Sequence, residues 1–267
     1  MIALRYFCNG VRVPAEEYVI SAEDEGLTRG RAVFETMRTF QGRLFRARQH
    51  TVRLVASAEA VGVPTLTSEE LARELEGAIE GYEGGAKVNM VLTGGGQRLI
   101  RVGPLDMDRY GATLRVATRS WEPPPWLDGR SKHCSRAMNQ AAVRQAGVDE
   151  VFWVGEDGTI TEGTRANVFA VIGGILMTPP DDGRILAGVT RGALIDAARE
   201  GGLELKEVSF PPDATFDELY ATSTLRDLGP VTEIDGRPLP KARPVGKRLR
   251  AALRQLMERE CGISPGH

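Results

Sequence analysis

Glu150-Val-Phe-Trp-Val154, an Asp157-Gly158 turn, Thr159-Ile-Thr161, Asn167-Val-Phe-Ala-Val-Ile172, a Gly173-Gly174 turn and Ile175-Leu-Met177 decide the fold class. Short apolar, β-branched runs alternate with residues that tolerate positive φ, which is hairpin chemistry. The pattern predicts a meander of antiparallel strands. Upstream, Ser135 to Ala146 has helical spacing, with Gly147 as a left-handed cap. Downstream, Thr190 is read as the cap of a helix running to about Glu200, followed by strands near 205–210 and 218–222 and a basic helix near 245–261. Hairpins outnumber βαβ patterns, so the predicted class is α+β with two lobes.

The first half begins with two short strands around Asn9-Gly10, then a strand over 33–40 that turns at Gln41-Gly42 into Arg43-Leu44-Phe45. Residues 47–61 carry Val52, Val55, Ala56 and Glu59 at helical spacing. Thr67 with Glu70 forms a capping box, followed by Leu71, Leu75, Ala78 and Ile79 on one face. Residues 88–93 and 113–118 read as strands. Pro123-Pro124-Pro125 can continue neither a helix nor a central strand. The expected organisation is therefore an N-terminal domain over 1–118, a proline-rich connector over 119–128 and a second domain over 129–267.

Among 267 residues, 42% are hydrophobic and 26% charged, with a formal net charge of -2. That composition excludes disorder and collagen as the main architecture and announces neither a nucleic-acid nor an anionic membrane partner. The cations are lopsided. Only Lys87, Lys132, Lys206, Lys241 and Lys247 can serve as amine nucleophiles, because arginine stays protonated. Cys8, Cys134 and Cys261 are scattered, and neither they nor His50, His133 and His267 have metal-ligand spacing, so no metal is expected. No signal peptide or apolar run of about 18 residues is evident, and a cytoplasmic setting is expected.

Five local features carry chemistry. Leu186-Ala-Gly-Val-Thr-Arg191 opens a helix whose Val189 and Thr190 amides could bind an anion, although an ordinary N-cap explains the same residues. Thr222-Ser223-Thr224 leaves a strand with three hydroxyls, or forms a polar turn. Glu162 lies between apolar strands, where an interior carboxylate needs a partner. Lys132 follows the proline connector at the expected lobe junction. Thr93-Gly94-Gly95-Gly96 lacks the lysine of a phosphate loop and reads as a turn between strands. Together an amine, an anion cradle and a carboxylate form the set that pyridoxal phosphate requires.

The chain resembles the fold-type IV pyridoxal-phosphate enzymes, the class IV aminotransferases. The resemblance runs in order through Asn9-Gly10, Gly30-Arg-Ala-Val-Phe-Glu-Thr36, Gly42-Arg-Leu-Phe45, His50 with Arg53-Leu54, Thr161-Glu162-Gly163, Asn167-Val-Phe169, Thr178-Pro179-Pro180, Leu186–Arg191, Pro230-Val231 and Asp235-Gly236. It implies a smaller N-terminal α/β lobe, a β-barrel-like C-terminal lobe with flanking helices, and a homodimer. It also implies Lys132 as the Schiff-base lysine and proton carrier, and Glu162 as the partner of the pyridine nitrogen. Arg53, Val189, Thr190 and Thr224 would hold the phosphate. The segment from Lys132 to Val148-Asp149-Glu150 is about one helical turn shorter than usual for the family.

Two departures bear on substrate. Thr28-Arg29-Gly30-Arg31 replaces a tyrosine and aspartate common in the family, and Thr93-Gly94-Gly95 replaces the Thr-Arg-Gly turn of familiar D-amino acid aminotransferases. Arg29 is then the expected carboxylate clamp, bidentate by geometry, with Thr93, Gly94 and Leu225 on the substrate side. This pairing resembles a less usual group of D-amino acid aminotransferases. The expected activity is amino transfer between an α-amino acid, leaning toward D-amino acids, and a 2-oxo acid. The alternatives are a lyase of the aminodeoxychorismate type and a non-catalytic binding protein on the same scaffold.

Overall fold

A computed structural model describes residues 4–262. His267 and the outer ends of both expected domains lie outside the described residues. The chain divides into two compact units. One takes in the chain through Asp106, then Ser131–Arg136 and the segment from Glu258. The other holds Met107–Arg130 and Ala137–Met257.

The first unit contains β1 (Arg5–Cys8), β2 (Val11–Val13), α1 (Glu25–Thr28), β3 (Ala32–Phe40), β4 (Arg43–Leu44), α2 (Ala47–Ala60), α3 (Ser68–Ile79), β5 (Ala86–Thr93) and β6 (Arg98–Pro104). Its six-stranded sheet runs β2-β1-β6-β5-β3-β4, antiparallel throughout. Asn9 and Gly10, at φ 52° and 83°, turn β1 into β2 as the Asn-Gly pair predicts. In β5, Ala86, Val88, Met90 and Leu92 are buried at period two, and they share a core with Leu54, Ala58, Leu71 and Leu75. The α3 capping box forms as expected: Thr67 Oγ1 accepts from Glu70 N, and Glu70 accepts from Thr67 N at 2.9 Å.

The buried face of α2 differs from the expected one. His50, Thr51, Leu54, Ser57 and Ala58 face inward, whereas Val52 is 51% exposed. An ion pair with buried Glu35 on β3 draws the His50 and Arg53 side toward the sheet, and apolar periodicity does not see that pull.

The second unit contains β7 (Leu114–Ser120), α4 (Ala137–Ala146), β8 (Glu150–Val154), β9 (Ile160–Gly163), β10 (Asn167–Ile172), β11 (Ile175–Thr178), α5 (Val189–Glu200), β12 (Leu205–Glu207), β13 (Glu218–Ser223), β14 (Asp227–Ile234), β15 (Arg237–Pro238) and α6 (Pro244–Glu260). Its nine-stranded sheet runs β12-β11-β10-β13-β14-β7-β8-β9, with β15 beside β14. The predicted meander is thus split. The β8-β9 and β10-β11 hairpins form, but β13, β14 and β7 lie between them, and β7 pairs in parallel with both β14 and β8.

The domain expectation changes in two places. Residues 113–118, expected in the first domain, supply β7 to the second sheet, so the prolines follow a strand of that sheet and do not separate the units. Residues 131–136, expected in the second domain, pair with the edge of β3 in the first unit: Phe34 N donates to Lys132 O at 3.1 Å, and Cys134 N to Ala32 O at 2.7 Å. That extended pairing is why α4 begins at Ala137 and not Ser135. No described helix is long and apolar enough to cross a membrane.

Leu75→Ala, which empties a fully buried site, is expected to lower unfolding stability by about 2–5 kcal/mol. Thr67→Ala, which removes the α3 cap, should lower it by about 1 kcal/mol. Urea unfolding measures both, and equal losses would contradict this division between core and cap.

Candidate active site

In the first unit, Lys132 is fixed by its backbone. Its amide donates to Ser57 Oγ at 3.0 Å, and the same hydroxyl donates to Arg53 O at 2.8 Å. Its Nζ lies 4.6 Å from the centroid of the Phe34 ring, in cation–π range. Ser57 therefore joins the two residues expected to hold opposite ends of the cofactor, a link with no signature in the sequence.

Arg53 meets Glu35 in a bidentate pair, Nε to Oε1 at 2.6 Å and Nη2 to Oε2 at 2.8 Å. His50 Nδ1 lies 2.8 Å from Glu35 Oε2. Burial alone would raise the Glu35 carboxyl. The Arg53 charge and the hydrogen bonds from both neighbours outweigh it and hold that carboxyl well below the usual range. Burial, helped by the charges of Arg53 and Lys132, pushes His50 down. An ionised carboxylate only accepts, so Nδ1–H of the imidazole is the donor.

Three of the four expected substrate residues, Arg29, Thr93 and Gly94, cluster around α1. Asp24 caps that helix through Gly26 N, and it also accepts from Thr93 Oγ1 at 2.6 Å and Gly95 N at 3.2 Å. Thr93 Oγ1 accepts in turn from Gln97 N, so this hydroxyl latches the glycine turn to α1. Gly94 N donates to Arg31 O at 2.8 Å. Arg31 is held by Glu25 and by the Gly62 and Gly94 carbonyls. Arg29 is 74% exposed and pairs with Glu25 at 3.3 Å, four residues away.

In the second unit, Glu162 Oε2 accepts from Leu186 N at 2.9 Å and from Asn167 Nδ2 at 3.3 Å. Asn167 Nδ2 also donates to Leu186 O at 2.8 Å. The same asparagine meets the start of α5. A Cβ at Gly188 would lie 1.9 Å from Asn167 Oδ1, so only glycine fits. Gly188, not Thr190, is the N-cap, and it supplies no side-chain cap. The helical ladder begins with Gly192 N donating to Gly188 O at 2.9 Å, so the Val189, Thr190 and Arg191 amides precede it.

Thr222 pairs with Asn167 across the β10-β13 ladder, and its Oγ1 is buried without a hydrogen-bond partner. Such an orphan donor beside an uncapped helix start suits a phosphate, so the residues present fit pyridoxal phosphate. Thr224 and Leu225 occupy the turn between β13 and β14, closed by Arg226 N donating to Ser223 O at 3.1 Å. The Tyr110 hydroxyl donates to Asp227 at the end of that turn. The sequence named Thr222 among three hydroxyls but singled out Thr224. Asn167, the residue that links Glu162 to the α5 start, was visible only as part of the family motif. Among the described residues, no group of three or more His, Cys, Asp or Glu is arranged to hold a metal ion.

The model of the family described as amino-transferase class IV matches residues 32–234. A Methanocaldococcus jannaschii chain that carries the name of a branched-chain-amino-acid aminotransferase is 30% identical over 262 residues, covering 88% of this chain and 89% of its own. D-alanine aminotransferase of Bacillus licheniformis is 26% identical over 279 residues, covering 94% of this chain and 96% of its own. The branched-chain aminotransferase of Thermoproteus uzoniensis, solved with norvaline, has a TM-score of 0.85 at 26% identity, covering 96% of this chain and 95% of its own. With a family model spanning most of its length and relatives aligned nearly end to end, this chain belongs to the class IV aminotransferases, pyridoxal-phosphate-dependent enzymes of fold type IV.

Proposed function

We propose that the enzyme moves an amino group between a D-amino acid and a 2-oxo acid, with Lys132 as the amine that holds the cofactor's aldehyde. Pyridoxal phosphate supplies that aldehyde and a ring able to accept electrons from the substrate α-carbon. Once released, Lys132 Nζ takes the α-proton and returns it on the cofactor side. Glu162 holds a proton at the ring nitrogen. Arg53, the Val189 and Thr190 amides and Thr224 hold the phosphate.

The observation that carries this reading is the placement of Asn167. One side chain bonds Glu162 and packs so closely on Gly188 that the α5 amides start there uncapped. The carboxylate for the ring and the cradle for the phosphate are thereby held at a fixed spacing.

Arg29 is proposed to take the substrate carboxylate, and Thr93, Gly94 and Leu225 are proposed as further substrate-binding residues. Its exposed pair with Glu25 is worth little, so a carboxylate displaces it readily. Arg31, with three acceptors, is held in place. The lean toward D-amino acids rests on the pairing of Arg29-Gly30 with Thr93-Gly94-Gly95, which resembles a less usual group of D-amino acid aminotransferases. The relatives carry both branched-chain and D-alanine aminotransferase names, so a panel of D- and L-alanine, D- and L-glutamate and L-leucine is the direct test. Conversion of the cofactor to its amine form by the D-amino acids first is expected. Conversion by the L-amino acids alone contradicts the D-preference, and conversion by none contradicts amino transfer and favours a lyase.

Lys132→Ala is expected to lose the yellow colour of the loaded enzyme and to slow the half-reaction by about 10²- to 10⁴-fold or more. A variant that stays yellow contradicts the Lys132 assignment. The enzyme is further proposed to be a cytoplasmic homodimer, a setting that suits three unpaired cysteines. Light scattering at micromolar concentration should give twice the chain mass, and a monomer would contradict it.

A further inference from the structure

Residues 33, 35 and 37 of β3 share one face of the sheet. Val33 and Met37 there are fully buried in the core with Leu54 and Ala58 of α2. Glu35 stands between them at 0% exposure. A leucine at that position would continue the apolar face, and replacing a buried ion pair with packed apolar groups is often neutral or stabilising. Packing alone therefore does not account for a carboxylate there.

Its contacts point to another purpose. Glu35 engages Nε and Nη2 of Arg53 together, at 2.6 and 2.8 Å. Two parallel bonds fix the plane of a guanidinium, which otherwise rotates on a flexible stem. His50, one turn before Arg53 on α2, is 2% exposed and bonds the same carboxylate at 2.8 Å. It pins the carboxylate from a second side. One turn after Arg53, Ser57 joins the Arg53 carbonyl to the Lys132 amide.

We infer that Glu35 is a positioning residue for Arg53. It sets the plane of the guanidinium before an anion arrives, so that a phosphate dianion meets an oriented arginine. The inference rests on Arg53 as a phosphate ligand. His50 supports it as a second donor to Glu35, and Ser57 carries the same fixed geometry to the backbone of Lys132.

Pyridoxal phosphate and pyridoxal, which lacks the phosphate, separate this role from a merely structural one. The full chain, stripped of cofactor, is titrated with each and followed by yellow absorbance. Glu35→Gln keeps the size of the side chain and loses the charge. It is expected to weaken pyridoxal phosphate by about 10- to 100-fold, the scale of a charged hydrogen bond, and to leave pyridoxal affinity unchanged. Equal weakening of both compounds, or no weakening of either, overturns the inference.

Because the single variant leaves Arg53 without its charge partner in a buried site, the pair Glu35→Leu with Arg53→Met gives a second reading on a core that can repack. It should match Arg53→Met alone in pyridoxal phosphate affinity, since Glu35 then has nothing to position. A further loss in the double variant overturns the inference. If Arg53→Met by itself leaves pyridoxal phosphate binding unchanged, the phosphate-ligand reading of Arg53 fails, and the positioning role fails with it for that separate reason.

Discussion

Backbone pairing of residues 131–136 with the edge of β3 is the constraint on which the placement of Lys132 depends. Lysine is a poor structural residue: its ammonium is strongly hydrated and its stem has several rotatable bonds. Here Lys132 is placed by main-chain groups. Its carbonyl accepts from Phe34 N and its amide donates to Ser57 Oγ, so the root of the side chain is held through its own backbone. A fixed root suits the proton-carrying role proposed for it. The same pairing delays the start of α4 to Ala137, which leaves it ten residues long.

In the second unit, glycine and asparagine do comparable work. A helix start attracts anions only if nothing else caps it. The 1.9 Å approach that a Cβ at Gly188 would make to Asn167 shows how closely the chain passes there, and no side chain caps α5. Asn167 also bonds Glu162, so one residue of β10 sets the carboxylate and the anion cradle against each other. The orphaned Thr222 hydroxyl lies across the ladder from it. A polar group buried without a partner is unfavourable, and its position across the ladder from Asn167 suits the phosphate site proposed at the start of α5.

Much of this was legible in the sequence, for identifiable reasons. The Asn9-Gly10 turn, the Thr67 capping box and the Gly147 cap were read correctly because their causes are local: positive φ, an N3 glutamate, a left-handed terminus. The family motifs gave Lys132 and Glu162 an order and a context. What was missed was non-local. Residues 150–177 look like one meander, because periodicity reports hairpins but not the three strands inserted between them. The prolines looked like a boundary, because stiffness is visible and the hydrogen-bond partners of β7 are not. The inward face of α2 was misread because a buried ion pair, not apolar spacing, sets its rotation. Ser57 left no sequence signal at all, since a serine that bridges two backbones looks like any other serine.

The account depends most on which of five lysines holds the cofactor. Borohydride reduction of the yellow, cofactor-loaded protein fixes the cofactor to the amine that carries it, and peptide mass mapping then locates the label. The predicted result is a single modified peptide bearing the label on Lys132. Label on Lys87, Lys206, Lys241 or Lys247, with Lys132 unmodified, would contradict it.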